Sequence, residues 1–154
     1  MTKQEFVGKY WNAAKAACAG TGIFPETCFS EMALESAWGA SYLTVHANNF
    51  LGIKSTDDWV KHGGKIITMH TKEQKEDGTP YIIEADFRLY DSPEDCFKNY
   101  VHFVTQPHYI AAGILKAKTP EDQAKVLQKA GYATAVNYAD VIISIMHGLK
   151  PYLK

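Results

Sequence analysis

With 154 residues and a formal net charge of −1, the chain is long enough to bury a core and lacks a basic field for nucleic acid or anionic membrane. Its apolar, aromatic and charged fractions are those of an ordinary globular protein, and no apolar run reaches the length of a membrane span. Three cysteines, Cys18, Cys28 and Cys96, form no CxxC pair, which favours reduced, partly buried thiols over a disulfide framework.

The opening stretch MTKQEFVGKYWNAAKAACAG has no uninterrupted apolar segment of the Sec signal type. It reads as a helix from about Lys3 to Cys18, with Phe6, Tyr10, Ala13, Ala14 and Ala17 on one face. GTGIFPE breaks that helix. Pro25 and Glu26 suit the first turn of a second one, predicted over roughly Pro25 to Trp38 and stopped by Gly39. Cys28, Phe29, Met32, Ala33, Leu34 and Ala37 make it apolar nearly all round, the pattern of a central, buried helix.

The middle of the chain changes character. KIITMHT and PYIIEADFRLY are rich in β-branched and aromatic residues and predict an antiparallel hairpin, with KEQKEDGT as a long exposed connection ending in Asp-Gly. Helices resume at DSPEDCFKNYVHFVTQ, where Ser92 suits the N-cap, Pro93 the first position, and Glu94 and Asp95 the first turn. TPEDQAKVLQKAG repeats that grammar with Thr119, Pro120, Glu121 and Asp122, closing at Gly131. A last helix starts near Asn137 and carries Ile142, Ile143, Ile145, Met146 and Leu149. The fold class is α+β with helices dominant.

ALESAWG sets one acid, Glu35, inside an apolar run. Burial there would disfavour its charged form and keep a proton on it, which is what a glycosidase needs to protonate a departing sugar oxygen. A structural glutamate satisfied by a lysine or a backbone N–H fits the same surroundings, so environment alone leaves both readings open.

The longer stretch MALESAWGASYLTVHANNFLGIKS resembles the signature of glycoside hydrolase family 73, the bacterial N-acetylglucosaminidases that include autolysins and the flagellar rod-associated muramidase. The matching residues are Ala33, Glu35, Ser36, Trp38, Gly39 and Ser41, then Ala47, Asn48, Asn49, Gly52, Ile53 and Lys54. TKEQKEDGTPYIIEADFRLYDS is similar to the family's β-lobe and GYATAVNYADVIISI to its C-terminal block, so the resemblance spans nearly the whole chain. It implies a lysozyme-like fold: a mainly helical body with a small antiparallel β-lobe, residues 60–91, forming one wall of a cleft. Residues 1–154 would be a single catalytic domain with no wall-binding module.

The implied activity is hydrolysis of the β-1,4 bond between N-acetylglucosamine and N-acetylmuramic acid in peptidoglycan, with Glu35 as general acid. Tyr132 would position the substrate. Glu73 would be the second carboxylate, although the segment from Glu73 to Gly78 is about one residue longer than the family pattern and makes Glu76 and Asp77 rivals, with Glu84 and Asp86 more distant. Trp38, Asn48, Asn49 and Tyr138 are candidate substrate contacts; Trp38 equally suits the core, and Asn48 and Asn49 a turn. If the carboxylates lie far apart, an inverting path with water between them follows; if no second one reaches the cleft, the substrate's N-acetyl group can serve.

Six histidines include no HExxH pair, so neither a metal nor another cofactor is expected, and the cysteines offer no thiol nucleophile. A non-hydrolytic glycan-binding module and a lytic transglycosylase are the rival functions. The expected partner is the peptidoglycan glycan strand, met by a monomer without nucleic acid or membrane insertion. Synthesis in the cytoplasm without a Sec signal would require release through phage holin lesions or injection by a secretion system. Injection would bring a periplasmic immunity protein as a further partner.

Overall fold

A computed structural model describes residues 1–154. Thr2 starts α1 (Lys3–Cys18) with a reciprocal cap: its hydroxyl accepts from Glu5 N at 3.1 Å while the Glu5 carboxylate accepts from Thr2 N at 2.7 Å. Pro25 opens α2 (Pro25–Glu35), in which every residue from Thr27 to Ala33 is buried, as expected of a central helix.

The second helix ends at Glu35, three residues short of the expected Trp38. Its C-terminus is a Schellman turn: Trp38 N donates to Ala33 O at 2.9 Å and Ala37 N to Leu34 O at 3.4 Å. Ala37 and Trp38 take the left-handed φ values of 49° and 57°, a region that costs an L-residue about 1–2 kcal/mol. Buried Ser36 offsets part of that cost, because its Oγ accepts from Gly39 N at 2.9 Å and donates to Met32 O.

Two short helices absent from the sequence reading follow, α3 (Tyr42–Ala47) and α4 (Asp57–Lys61), capped by Ser41 and Thr56. The hairpin is present as β1 (Lys65–Gln74) paired antiparallel with β2 (Pro80–Leu89), in register from Lys65 opposite Leu89 to Gln74 opposite Pro80. β1 thus runs through Glu73 and Gln74, which the sequence assigned to the connection. Pairing with Pro80–Ile82 extends the ladder and leaves only 75–79 to turn.

The later helices are α5 (Pro93–Val104), α6 (Pro107–Ala112), α7 (Pro120–Lys129) and α8 (Tyr138–Leu149), with a 3₁₀ turn at Ile114–Lys116. Ser92 and Thr119 cap α5 and α7 as expected, accepting from Asp95 N and Asp122 N. At the start of α8 the cap comes from elsewhere: Gln128 Oε1 accepts from Ala139 N at 2.7 Å. α2 packs against α1, α5, α7 and α8, and Phe6, Phe29, Phe50, Phe97 and Tyr100 fill the space between them. Cys18, Cys28 and Cys96 are unpaired and buried, and burial pushes the Cys96 thiol up to about 12 and Cys28 well above its usual range, so these last two stay protonated.

Asn48 and Asn49 fix the body to the hairpin. Asn48, left-handed at φ 51°, donates from Nδ2 to Tyr90 O at 2.9 Å. Fully buried Asn49 donates to Ile53 O and Arg88 O, each at 2.9 Å, and accepts from Ile53 N at 3.0 Å. Both amide hydrogens are spent on backbone carbonyls and the side chain is fully buried, so Asn49 has no donor to offer a sugar. Asn49→Ala should therefore lower stability by about 2–4 kcal/mol, because it strands buried backbone groups, and urea unfolding of the variant measures this directly.

Candidate active site

A cleft of about 910 Å³ opens among α2, α4, α5 and the base of β2. Glu35, the last residue of α2, lines it and is exposed to solvent. The expectation that Glu35 is buried is corrected: α2 is buried only as far as Ala33, and Glu35 emerges where the helix stops.

The buried acid is Glu31, one turn earlier on the same face and 1% exposed, yet also bordering the cleft. Tyr138 Oη donates to its Oε2 at 2.5 Å and Tyr132 Oη to its Oε1 at 3.3 Å. Burial pushes the Glu31 carboxyl up to about 7; the Tyr138 bond opposes this, the charge of Glu35 adds to it, and the Tyr132 bond opposes it more weakly. Both tyrosine hydroxyls are pushed far up, first by burial and then by the neighbouring Glu31 charge, so they remain donors.

Sequence reasoning missed Glu31. Its signal was the spacing: an acid four residues before Glu35, within the run already read as buried.

Tyr132 follows Gly131, whose φ of 81° ends the α7 segment and turns the chain back toward the cleft. Its ring lies among Tyr100, Phe103, Tyr109 and Tyr138 at centroid distances of 5.4–6.3 Å. Tyr138 is buried behind Tyr132 and does not border the cleft. Tyr100 does, and its buried hydroxyl has no protein partner.

The wall built by α4 and β2 is cationic and aromatic. Arg88 stacks 4.6 Å from the Trp59 ring centroid and donates from Nη1 to Asn99 Oδ1 at 3.2 Å. Trp59 Nε1 is tied to Lys65 O at 2.8 Å. Asp58, from the first turn of α4, also borders the cleft.

Other sequence candidates lie elsewhere. Trp38 is half-buried against Phe6, ring centroids 5.6 Å apart, because the left-handed turn after α2 carries it back onto α1. Asn48 and Asn49 are held by backbone groups and do not border the cleft. Glu73 is exposed near the far end of β1, opposite Tyr81. Arg88 pairs with Ile66, and since side chains alternate along a strand, Glu73 points to the face opposite the one that presents Arg88. Glu76, Asp77, Glu84 and Asp86 do not border the cleft either; its carboxylates are Glu31, Glu35 and Asp58.

The glucosaminidase family, described as mannosyl-glycoprotein endo-beta-N-acetylglucosaminidase, matches this chain over residues 11–151. The chain belongs to that family, glycoside hydrolase family 73. Peptidoglycan hydrolase FlgJ of Salmonella typhimurium is 32% identical over 152 residues, covering 96% of this chain and 46% of the relative. Exo-glucosaminidase LytG of Bacillus subtilis is 33% identical over 128 residues, 80% of this chain and 43% of the relative. The chain thus spans less than half the length of either. A C-terminally truncated glycoside hydrolase domain of Salmonella typhimurium FlgJ superposes with a TM-score of 0.83 at 30% identity, covering 97% of this chain and 99% of the other. The lysozyme-like α+β fold expected from the sequence is the fold observed, with the β-hairpin supplying part of one cleft wall.

A family 73 cleft with a buried acid at its floor has a stability signature. The folded-state affinity of Glu31 for its proton exceeds the unfolded one, so its contribution is fully present at low pH and is lost as pH rises from about 4.5 through about 7. The loss should be on the order of 3 kcal/mol, and Glu31→Gln should remove that part of the slope when urea midpoints are compared across the window.

Proposed function

We infer that the chain hydrolyses the β-1,4 bond following N-acetylglucosamine in peptidoglycan, with Glu35 as the general acid. The observation that carries the reading is the placement of the ALES glutamate, the acid of the family motif, at the mouth of a cleft lined by Tyr132, Trp59 and Arg88. A cleft of that size accommodates a few sugar rings, with aromatic faces for stacking and donors for acetamido groups and hydroxyls. Glycan filling the cleft would displace water from around Glu35, supplying the desolvation that the free protein lacks.

The water that attacks the anomeric carbon needs an activating group. Asp58 is the carboxylate bordering the cleft from outside α2, whereas Glu73 would have to be brought in by movement of the hairpin. With the cleft as it stands, Asp58→Asn should slow turnover and Glu73→Gln leave it near wild type; the reverse result would mean that the hairpin swings over bound glycan.

Release of soluble muropeptides from purified sacculi tests the activity. Glu35→Gln should reduce release by about a hundred- to ten-thousandfold while still binding sacculi, as removal of a general acid does. Products should carry N-acetylglucosamine at the new reducing end; a 1,6-anhydro-muramic end would overturn the assignment in favour of a transglycosylase. A neighbouring holin gene would mark phage release as the route to the wall. A neighbouring gene for a small exported protein would mark injection and an inhibitor partner.

A further inference from the structure

We propose that Glu31 is a positioning residue that sets the hydrogen-bond polarity of Tyr132 toward the substrate. The proposal rests on the glycosidase reading above for its biological meaning, but its geometry stands apart from it. Tyr132 borders the cleft, Tyr138 does not, and both hydroxyls converge on the two oxygens of one buried carboxyl.

With Glu31 ionised, both tyrosines donate to it. Tyr132 then spends its single O–H on Oε1 and offers the cleft only lone pairs. Adding one proton to Glu31 reverses one of the two bonds. Tyr138 is buried and has no other partner, so it continues to donate to Oε2. The new carboxyl proton therefore sits on Oε1 and is donated to Tyr132 Oη. The Tyr132 hydroxyl hydrogen is released to point into the cleft, where it can donate to a sugar acetamido carbonyl or hydroxyl. One proton enters, one hydrogen bond changes direction, and no other group changes charge.

The surroundings make this exchange available near neutral pH. Cys28 and Glu35 of α2, Tyr100 of α5, Tyr132 and Tyr138 are the titratable groups coupled to Glu31. α1 and α7, also packed on α2, bring no side chain that bonds to it. The basic residues of the cleft, Lys54, His62, Arg88 and His102, come from other walls and none of them bonds to Glu31. Nothing therefore neutralises the buried carboxylate, and it holds a proton up to about pH 7.

Two measurements test the proposal in the whole chain. The first needs no glycan: the infrared carbonyl band of protonated Glu31 should disappear as pH rises through about 7 and be absent from Glu31→Gln. That band should shift in Tyr132→Phe, where the carboxyl proton has lost its acceptor. Coincident bands in wild type and Tyr132→Phe would overturn the proposal whether or not the protein cleaves peptidoglycan. The second measures binding of a soluble N-acetylglucosamine–N-acetylmuramic acid tetrasaccharide by the Glu35→Gln variant. Affinity should fall about fivefold from the acid to the alkaline side of the transition, the worth of one neutral hydrogen bond. Adding Glu31→Gln should make binding independent of pH at the stronger level, because the carboxamide always donates to Tyr132. Adding Tyr132→Phe should make it flat at the weaker level. A pH dependence that survives in either double variant would also overturn the proposal. Sacculi left intact by wild type, with the infrared and binding results as described, would refute only the catalytic reading.

Discussion

A carboxyl group with almost no access to water holds this molecule's working surface together. Glu31 is on the central helix, and its two oxygens are held by hydroxyls from α8 and from the turn just before it. Without such donors, burying an acid in the middle of a helical core would be strongly unfavourable; with them, the same burial becomes a fixed point that joins two otherwise separate segments. The floor of the cleft is defined by that junction. Tyr132 stands where it does because its hydroxyl is tethered from below and its ring is packed by four other aromatic rings.

The opposite side of the cleft follows a different logic. There the rigid unit is a stack, Arg88 against Trp59, braced by Asn99, which accepts from both Arg88 and Tyr90. Asn49 fastens the backbone behind Arg88 to the loop that leads into α4. The floor is thus held by buried polar bonds and the wall by a half-exposed stack on a hairpin base. Glu35 lies between the two, on the last residue of a helix whose end is enforced by a left-handed turn.

Much of this was legible in the sequence, and the unread parts have physical causes. Ser92-Pro93 and Thr119-Pro120 announced helix starts because capping is local chemistry, decided within four residues. The hairpin was legible from its composition. The end of α2 was not, since Schellman turns favour glycine and here alanine and tryptophan occupy the left-handed positions; the visible glycine lies just beyond them. Whether Glu73 faces Arg88 depends on strand register, and shifting the turn by one residue reverses every face, which pattern alone does not fix. Glu31 went unread because its partners are more than a hundred positions away in the chain.

The hairpin carries one further consequence. Its strands are largely exposed, its apolar residues contribute nothing to the central cluster, and its anchorage lies at its base: α4, the Lys54–Phe87 bridge, the Arg88–Asn99 and Lys65–Asp91 side-chain bonds and the nearby backbone bonds. Folding free energy is therefore generated almost wholly in the helical body. Residues can be added to or removed from the outer rungs of the ladder at little thermodynamic penalty. The hairpin can therefore be lengthened or shortened beyond Arg88 without disturbing the floor that holds Glu31.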